Sequence, residues 1–177
     1  MLVLVLTLVA CSDPASDAAT TSTTGPASLE TFEAPELGFV VDYPSDWVPV
    51  LKVDESILEV IAPVALNGFV PNFNVTTGEI PTEIPRAVYY EGEVARLRDT
   101  LPGVEILEVS DLSVDGVPAR GITLTSTEND LTIGISRLLV LDDDGQAWEV
   151  SFFAQAGTLE QLAPTVTEIF GSFHFTD

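Results

Sequence analysis

The chain has 177 residues, with 28 Asp and Glu against 6 Lys and Arg, so its formal net charge is -22 at pH 7. This negative balance repels a phosphate backbone and therefore excludes nucleic acid as a partner. It also repels anionic lipid headgroups, so electrostatic attraction alone would not hold the chain at a membrane. With a single cysteine, Cys11, and a single histidine, the chain has no disulfide, and a zinc site is excluded.

The N-terminal segment, residues 1–10, is apolar except for one threonine and ends directly before Cys11. An apolar stretch followed by small residues is typical of a secretory signal. The motif Leu8-Val9-Ala10-Cys11 resembles a bacterial lipobox, in which the cysteine thiol receives a diacylglyceryl group and a peptidase cuts in front of the cysteine. We therefore predict a signal peptide over residues 1–10. The mature chain would be anchored through lipid on Cys11 to the extracytoplasmic face of a bacterial membrane.

Two alternatives for this segment are a transmembrane anchor and a buried strand with a packed cysteine. The segment is too short for an anchor, because spanning a bilayer takes about 20 apolar residues. A core strand should lead into a turn and a partner strand, whereas Cys11 is followed by a stretch rich in Ser, Thr and Ala. The apolar run has no Lys or Arg before it, so we expect the true start codon to lie upstream.

After Cys11 the composition changes to small and polar residues. Residues 12–28 contain no aliphatic side chain larger than alanine and no aromatic ring, so they have nothing to bury. We predict that residues 11–28 form the lipidated cysteine and a disordered tether, with a root-mean-square reach of roughly 20–25 Å. Residues 29–177 are predicted to form one domain of ordinary size.

The first half of this domain is rich in short strand patterns interrupted by prolines. The predicted strands are Phe39–Tyr43, Trp47–Val50, Ile57–Ile61 and Asn72–Thr76. The aromatic side chains of Tyr43 and Trp47 could line a ligand cleft. The favoured alternative places Trp47 in the core, packed under the first helix.

A loop before the fourth of these strands carries three apolar residues, Leu66, Phe69 and Val70. Apolar side chains on an exposed loop can mark a partner-binding site. They can equally fold back onto the sheet, and the sequence leaves both interpretations open.

Two amphipathic helices are predicted. Over residues 85–101 the apolar positions Ala87, Tyr90, Val94, Leu97 and Leu101 alternate at three and four residues, which places them on one helical face. The second helix, near residues 159–170, opens with a capping box at Thr158. Pro164 lies late for a first-turn proline, which predicts a kink or a delayed start.

Four strand patterns fill the second half of the domain and are separated by short turns rich in Asp, Asn and Gly. This spacing predicts an antiparallel meander. Together with the two helices it indicates the α+β class. The predicted strands are Val104–Leu112, Val117–Ser126, Leu131–Leu141 and Gln146–Ala154.

Few residues are candidates for chemistry. A Ser-His-Asp hydrolase would need His174, but no G-x-S-x-G motif supplies a nucleophile, so we expect this histidine to be structural. The run Asp142-Asp143-Asp144-Gly145 fails the spacing of an EF-hand loop, because Val140 and Ser151 fall at the first and twelfth positions. We interpret it as the charged end of a hairpin, with a weak cation site as the alternative. No metal, cofactor or catalytic residue is predicted.

A resemblance to the PsbP-like family appears in three segments. Gly38-Phe39-Val40-Val41-Asp42-Tyr43-Pro44-Ser45-Asp46-Trp47 resembles the family's opening strand and turn. Val114-Asp115-Gly116-Val117-Pro118-Ala119-Arg120 is similar to a strand-turn-strand segment of the family, and the ending Ile169-Phe170-Gly171-Ser172-Phe173-His174-Phe175 is similar to its terminal motif. The resemblance covers nearly the whole predicted domain.

This resemblance implies an α/β/α sandwich, with a central, mostly antiparallel sheet flanked by two main helices. Actinobacterial lipoproteins of the LpqN/LpqT kind, which are lipid-anchored single domains, share this design. The resemblance also implies a non-catalytic binding or assembly module with a protein or envelope partner. Two alternatives are a carrier of a small apolar ligand in a cleft between sheet and helix, and a hydrolase with an unrecognised site.

Overall fold

The computed structural model describes residues 28–52 and 57–176. The predicted signal peptide, Cys11 and nearly all of the predicted tether lie outside the described residues. The elements in chain order are β1 (Leu29–Ala34), a 3₁₀ turn (Pro35–Leu37), β2 (Phe39–Pro44), β3 (Val48–Lys52), β4 (Ile57–Ile61), β5 (Asn72–Glu79), α1 (Arg86–Thr100), β6 (Glu105–Val114), β7 (Val117–Glu128), β8 (Leu131–Leu141), β9 (Gln146–Gln155), α2 (Ala156–Ser172) and β10 (His174–Phe175).

Seven strands form one antiparallel sheet in the order β3-β4-β5-β9-β8-β7-β6. The predicted meander is confirmed, because β6 to β9 are neighbours in sequence order. The turn between β6 and β7 is tight, and both Asp115 and Gly116 adopt left-handed backbone angles, with φ of 50° and 83°. Pairing of β5 with β9 joins the first-half strands to the meander. The α+β class and the central antiparallel sheet are confirmed.

The outer strands of this sheet are β3 and β6. Pro49 is the second residue of β3. The pairing of β6 with β7 shifts register between Ile106 and Glu108, which is the signature of a β-bulge. Both features are typical of strands that lie at the edge of a sheet.

A second, three-stranded antiparallel sheet consists of β1, β2 and β10. The sequence pattern predicted β2 but neither of its neighbours. The strand β10 has two residues, and its pairing of His174 with Val40 and Phe175 with Phe39 depends on the tertiary fold. A segment this short carries no periodicity from which a strand could be predicted.

The larger part of the core lies between the seven-stranded sheet, α2 and the three-stranded sheet. Side chains alternate between the two faces of a strand, so Leu138 and Val140 of β8 point to this side while Leu139 and Leu141 point to the other. Val166 and Ile169 of α2 complete the packing. The largest fully buried side chains on this face are Phe39, Leu58, Phe73, Leu138, Phe152, Ile169 and Phe173.

Trp47 is buried in this core, as predicted. Its ring lies 6.4 Å from that of Phe73 and 6.0 Å from that of Phe152, centroid to centroid. The expected position under the first helix is wrong, because α1 packs on the opposite face of the sheet. The side on which Trp47 packs follows from the alternation of β3, which continues back to Trp47. Trp47 and Leu51 therefore both point to the α2 side.

The opposite face of the sheet is covered by α1. Tyr90 and Leu97 are buried from this helix, as the predicted stripe requires, whereas Ala87 in its first turn is exposed. They pack on a second apolar cluster of sheet residues, Ile122, Leu124, Ile135, Leu139, Leu141 and Ala147. Two helices therefore flank the central sheet on its two faces.

The helix α2 begins earlier than predicted and without the capping box expected at Thr158. The helix begins at Ala156, so Thr158 lies in its first turn, and its hydroxyl donates to the Gln155 carbonyl at 2.9 Å. A delayed start at Pro164 is also wrong, because this proline lies inside the helix. Because Pro164 has no amide hydrogen, the carbonyl of Glu160, four residues earlier, lacks its intrahelical donor. Glu160 and Pro164 are both exposed. An exposed position lets water replace the missing donor.

Candidate functional site

A cluster of four charged side chains lies where α1 meets the sheet, and we name Glu93, Arg96, Arg137 and Glu149 the ionic cluster. Arg137 of β8 and Glu149 of β9 pair across adjacent strands, with Nη1 and Oε1 2.5 Å apart. The Ser151 hydroxyl donates to the same carboxylate oxygen at 2.7 Å. The sheet thus supplies one buried ion pair with an additional donor.

The other half of the ionic cluster comes from α1. Arg96 Nη2 lies 2.5 Å from Glu93 Oε2, one helical turn earlier, and 4.0 Å from Glu149 Oε2. Arg96 therefore contacts carboxylates of both the helix and the sheet. Two arginines and two glutamates balance, so the cluster ties α1 to β9 without adding net charge.

Burial shapes the electrostatics of this cluster. It lowers the pKa of the Arg137 guanidinium, and the neighbouring Arg96 lowers it further, while Glu149 opposes both effects. The hydrogen bonds that Arg96 donates to the Glu93 carboxylate raise the pKa of Arg96. Arg137 Nε is buried and has no hydrogen-bond partner among the residues that the structure describes. The cluster therefore retains one unused donor.

A shallow cleft of about 230 Å³ runs beside the ionic cluster, between α1 and the ends of β5 and β9. Tyr89, Glu93 and Arg96 form its helical wall, and Thr76 and Glu149 belong to its sheet wall. Burial raises the pKa of the Tyr89 phenol, and the nearby glutamates add to the effect. This phenol therefore stays protonated at neutral pH and could donate a hydrogen bond to a bound molecule rather than act as a base.

Next to this cleft the α1 side of β3, β4 and β5 is open, and we name this surface the open sheet face. Val48 and Val50 of β3 are 57% and 41% exposed. The inward-facing positions of the same strands, among them Leu58, Val60 and Phe73, are completely buried. Lys52 and Glu59 form an ion pair of 3.3 Å on this surface, with Glu59 directly opposite Val50. The residues that define the open sheet face are Val48, Val50, Lys52, Ile57, Glu59, Ile61, Asn72, Asn74 and Thr76.

The predicted apolar loop forms a narrow hairpin between β4 and β5, and we name residues 62–71 the hairpin tip. Leu66 and Phe69 exchange backbone hydrogen bonds of 2.8 and 3.1 Å across Asn67 and Gly68, whose φ angles are 51° and 85°. Asn-Gly is a strong signal for such a turn, and sequence analysis missed it here.

Of the two interpretations of this loop, the exposed one is the better description. Val64 and Val70 are 63% and 40% exposed, and Leu66 and Phe69 are half-buried. None of these side chains belongs to either apolar cluster among the described residues. The hairpin tip therefore presents an apolar surface at one end of the domain.

The sequence candidates for chemistry lie apart from these surfaces. His174 Nδ1 lies 2.8 Å from Asp115 Oδ1, and the Phe175 amide donates to the other carboxylate oxygen at 3.0 Å. Asp142 accepts the amides of Asp144 and Gln146 and so closes the acidic turn. Within residues 28–52 and 57–176, no group of three or more His, Cys, Asp or Glu side chains could hold a metal ion.

A second cleft lies on the other face, between α2 and the strands β6 to β8. Its volume is about 470 Å³, and Leu107, Leu159 and Val166 contribute apolar surface to it, while Glu108 and Glu160 line it with charge. Its size falls within the range of pockets for small ligands. The other aromatic candidate, Tyr43, lines neither cleft; its hydroxyl donates to Glu30 at 3.1 Å.

The ionic cluster escaped sequence analysis, although a signal for it exists. Arg137 is the only charged residue in the apolar run of β8, and Glu149 lies on the next predicted strand. Buried charges need partners, so two opposite charges on adjacent strands predict a pair. Their diagonal placement, with Arg137 opposite Ser151 and Glu149 opposite Leu139, follows only from the register.

These features define a small α+β domain, in which an antiparallel sheet lies between two helices and a partly buried ionic cluster joins one helix to the sheet. The family model described as PsbP-like protein matches residues 11–175, and the chain belongs to that family. No curated protein matches the chain significantly. No helix of the part that the structure describes is both long and apolar enough to cross a membrane.

Several solved structures share this fold at low sequence identity. The solution structure of cyanobacterial PsbP (CyanoP) from Synechocystis has a TM-score of 0.62 and 14% identity, covering 90% of this chain and 99% of that chain. LpqN of Mycobacterium tuberculosis, involved in cell envelope biogenesis, gives 0.61 and 14%, covering 88% of each chain. The Ran-binding protein Mog1p of Saccharomyces cerevisiae gives 0.62 and 11%, covering 85% and 97%. At these identities the likeness shows the fold alone.

Proposed function

We propose that the protein is a lipid-anchored extracytoplasmic binding or assembly module that performs no catalysis. The observation that carries this proposal is the open sheet face, which exposes valines on β3 beside a fully packed core. An antiparallel sheet can face water on one side, but that side is usually polar. Exposed Val48 and Val50 are better explained by a partner that covers them.

The chemistry of the surface supports a protein or envelope partner. The open sheet face adjoins the ionic cluster, so a partner would meet apolar area next to Arg96 and to acceptor oxygens of Glu93 and Glu149. The open sheet face itself combines valines with the Lys52–Glu59 ion pair, and a mixture of apolar and polar groups is usual for a protein interface. The structural likeness to LpqN, a cell envelope protein, is consistent with a partner in the same compartment.

The polar groups described above support a binding role over catalysis. His174 is the only histidine of the chain, and its ring is bound to Asp115 at the base of β10. The acceptors of the ionic cluster are bound to arginine rather than poised as bases. A general base needs a free lone pair directed at its substrate.

Anchoring is tested separately through Cys11. In the native host, wild-type protein should incorporate labelled palmitate and lose residues 1–10, whereas Cys11→Ser should be unlabelled and remain a precursor. Wild-type protein that carries no label, or retains Met1, would contradict the anchor.

Binding is tested with two matched variants in the lipidated chain. Val50→Arg places a charge on the open sheet face, and Val88→Arg places it at an exposed position of α1. After cross-linking in native membranes, Val50→Arg should lose the partner that wild-type protein and Val88→Arg both capture. The same capture by all three chains would exclude the open sheet face as the binding surface.

A second candidate function, carriage of a small apolar ligand, is favoured by the 470 Å³ cleft beside α2. Native mass spectrometry of protein extracted from its own membrane would show a retained small molecule. Leu159→Asp would place a charge in the cleft and should abolish that retention. If wild-type protein and Leu159→Asp both show the mass of the protein without a bound small molecule, binding of a macromolecule would be left as the function.

A further inference from the structure

The hairpin tip lies at the end of the domain where the N-terminal tether begins. Val48 at the start of β3 pairs with Ile61 at the end of β4, and the tip follows Ile61 directly. The amide of Ser45, shortly before Val48, donates to the Ser28 carbonyl at 2.8 Å, and the two hydroxyls are 2.7 Å apart. Ser28 is the first described residue, so the chain leading back to Cys11 leaves the domain beside the tip.

The hairpin tip is an uncharged segment of a strongly acidic chain, whereas Asp46, near Ser45, is exposed. The sequence has no Asp, Glu, Lys or Arg between Val60 and Gly78, although its net charge is -22. Acidic surfaces are repelled by anionic lipid headgroups, and this repulsion acts on the rest of the domain. The side chains of the hairpin tip therefore approach a bilayer without an electrostatic cost of their own.

The composition and geometry of the tip suit contact with lipid. Val64 and Val70 expose apolar area, and burying such area is favourable in proportion to its size. Backbone amides are costly in lipid unless they are bonded internally. The mutual hydrogen bonds of Leu66 and Phe69 satisfy two of them at the turn.

We propose that the hairpin tip inserts its apolar side chains into the bilayer to which Cys11 anchors the chain, and so fixes the orientation of the domain. This inference rests on the anchor in the proposed function. A tether with a reach of roughly 20–25 Å holds the tip at a high local concentration next to the membrane. A contact too weak to bind the free chain is then sufficient, because the second binding event is intramolecular.

The inference is tested on the full chain coupled through its only thiol, Cys11, to maleimide-bearing lipid in vesicles of equal parts phosphatidylcholine and phosphatidylglycerol. This coupling does not depend on whether a cell lipidates the chain. A photo-crosslinking benzoylphenylalanine is placed at Val70 or, as a control, at Ile84, which follows β5 at the other end of the domain. The two positions have matched exposures of 40% and 38%.

We expect a several-fold excess of lipid adduct at Val70 over Ile84. Val64→Asp should reduce the adduct at Val70, because it places a carboxylate in the contact. Equal labelling at the two positions, adducts of Val70 with a second copy instead of lipid, or no effect of Val64→Asp would overturn the inference. Unlabelled Cys11 in the palmitate experiment would instead contradict the anchor alone.

Discussion

The phenol of Tyr90 accepts a hydrogen bond from the buried amide of Leu141 at 3.1 Å. The same hydroxyl donates to the carbonyl of Pro118 at 2.7 Å. One side chain of α1 thus satisfies backbone groups of two adjacent strands, β7 and β8. Burial is the main reason why the pKa of this phenol is raised, so the hydroxyl keeps its donating proton across the neutral range.

Tyr90→Phe should therefore destabilise the domain without opening a cavity. Leaving a buried amide without its acceptor costs about 1–3 kcal/mol. Urea denaturation of the variant should show a lower midpoint with an unchanged slope. Tyr89→Phe is the control, because the Tyr89 hydroxyl makes no hydrogen bond to the described residues, and equal loss in both variants would contradict the explanation.

Two glycines in turns of the seven-stranded sheet allow the cost of backbone strain to be measured separately from the cost of steric overlap. Gly116 and Gly145 have φ of 83° and 90°, in the left-handed region. A Cβ at Gly116 would meet nothing within 4 Å, whereas one at Gly145 would overlap the carbonyl oxygen of Ile80.

Gly116→Ala should cost only the left-handed conformation, about 1–2 kcal/mol. Gly145→Ala should cost clearly more, because the carbonyl of Ile80 must move and the Ile80 amide already donates to Gly145 at 2.8 Å. Thermal unfolding of both variants measures the difference. Similar melting temperatures would show that the turn after β8 relaxes freely.

Trp47→Ala tests the core at the start of β3. Truncation of a buried tryptophan typically costs about 3–5 kcal/mol, a large share of the roughly 5–15 kcal/mol that stabilises a domain. Val48→Ala, next to it but on the open sheet face, should change the free energy of unfolding little. A Trp47→Ala variant that melts within a degree or two of wild type would contradict the burial of this ring.

Asp115 gives the fold a defined pH dependence. The amide of Phe175 and the ring of His174 lower the pKa of its carboxyl below the ordinary value of 3.8. A lowered folded-state pKa stabilises the native state above the unfolded-state pKa, and this contribution is lost as the pH falls through the folded-state value. Asp115→Asn tolerates the same left-handed backbone and removes the charge.

Wild type should therefore exceed Asp115→Asn in urea midpoint at pH 7, and the gap should close below about pH 4. Asp130→Asn is the matched control, because Asp130 also has a positive φ but accepts no hydrogen bond from the described residues. A gap for Asp115→Asn that is constant with pH would assign its effect to turn geometry instead of charge.

The sequence predicted those elements whose own periodicity carries the information. The four strands of the meander and both helices were located because alternation and turn residues such as Asp115-Gly116 are local signals. The strands β1 and β10 were missed because pairing with β2, and not their own pattern, makes them strands. The side of the sheet on which Trp47 packs was also beyond the sequence, since it depends on where α1 docks.

The candidate surfaces show the same difference between features with a local sequence signal and features set by the tertiary fold. The apolar residues of the hairpin tip were recognised from their composition, and Val70 is indeed exposed. The open sheet face and the ionic cluster were not found, because both depend on where α1 docks on the sheet, which no local pattern encodes. Arg137 and Glu149 become neighbours only once the register of β8 and β9 is fixed.

The two outer strands determine how another molecule can bind this sheet. An incoming strand beside β3 would find no amide donor at Pro49. At the other edge, the bulge near Glu108 interrupts the ladder, and the exposed carboxylates of Glu105 and Asp111 line it. Addition of a backbone strand is thus disfavoured at both edges, and neighbouring copies crowded on one surface resist joining into a continuous sheet.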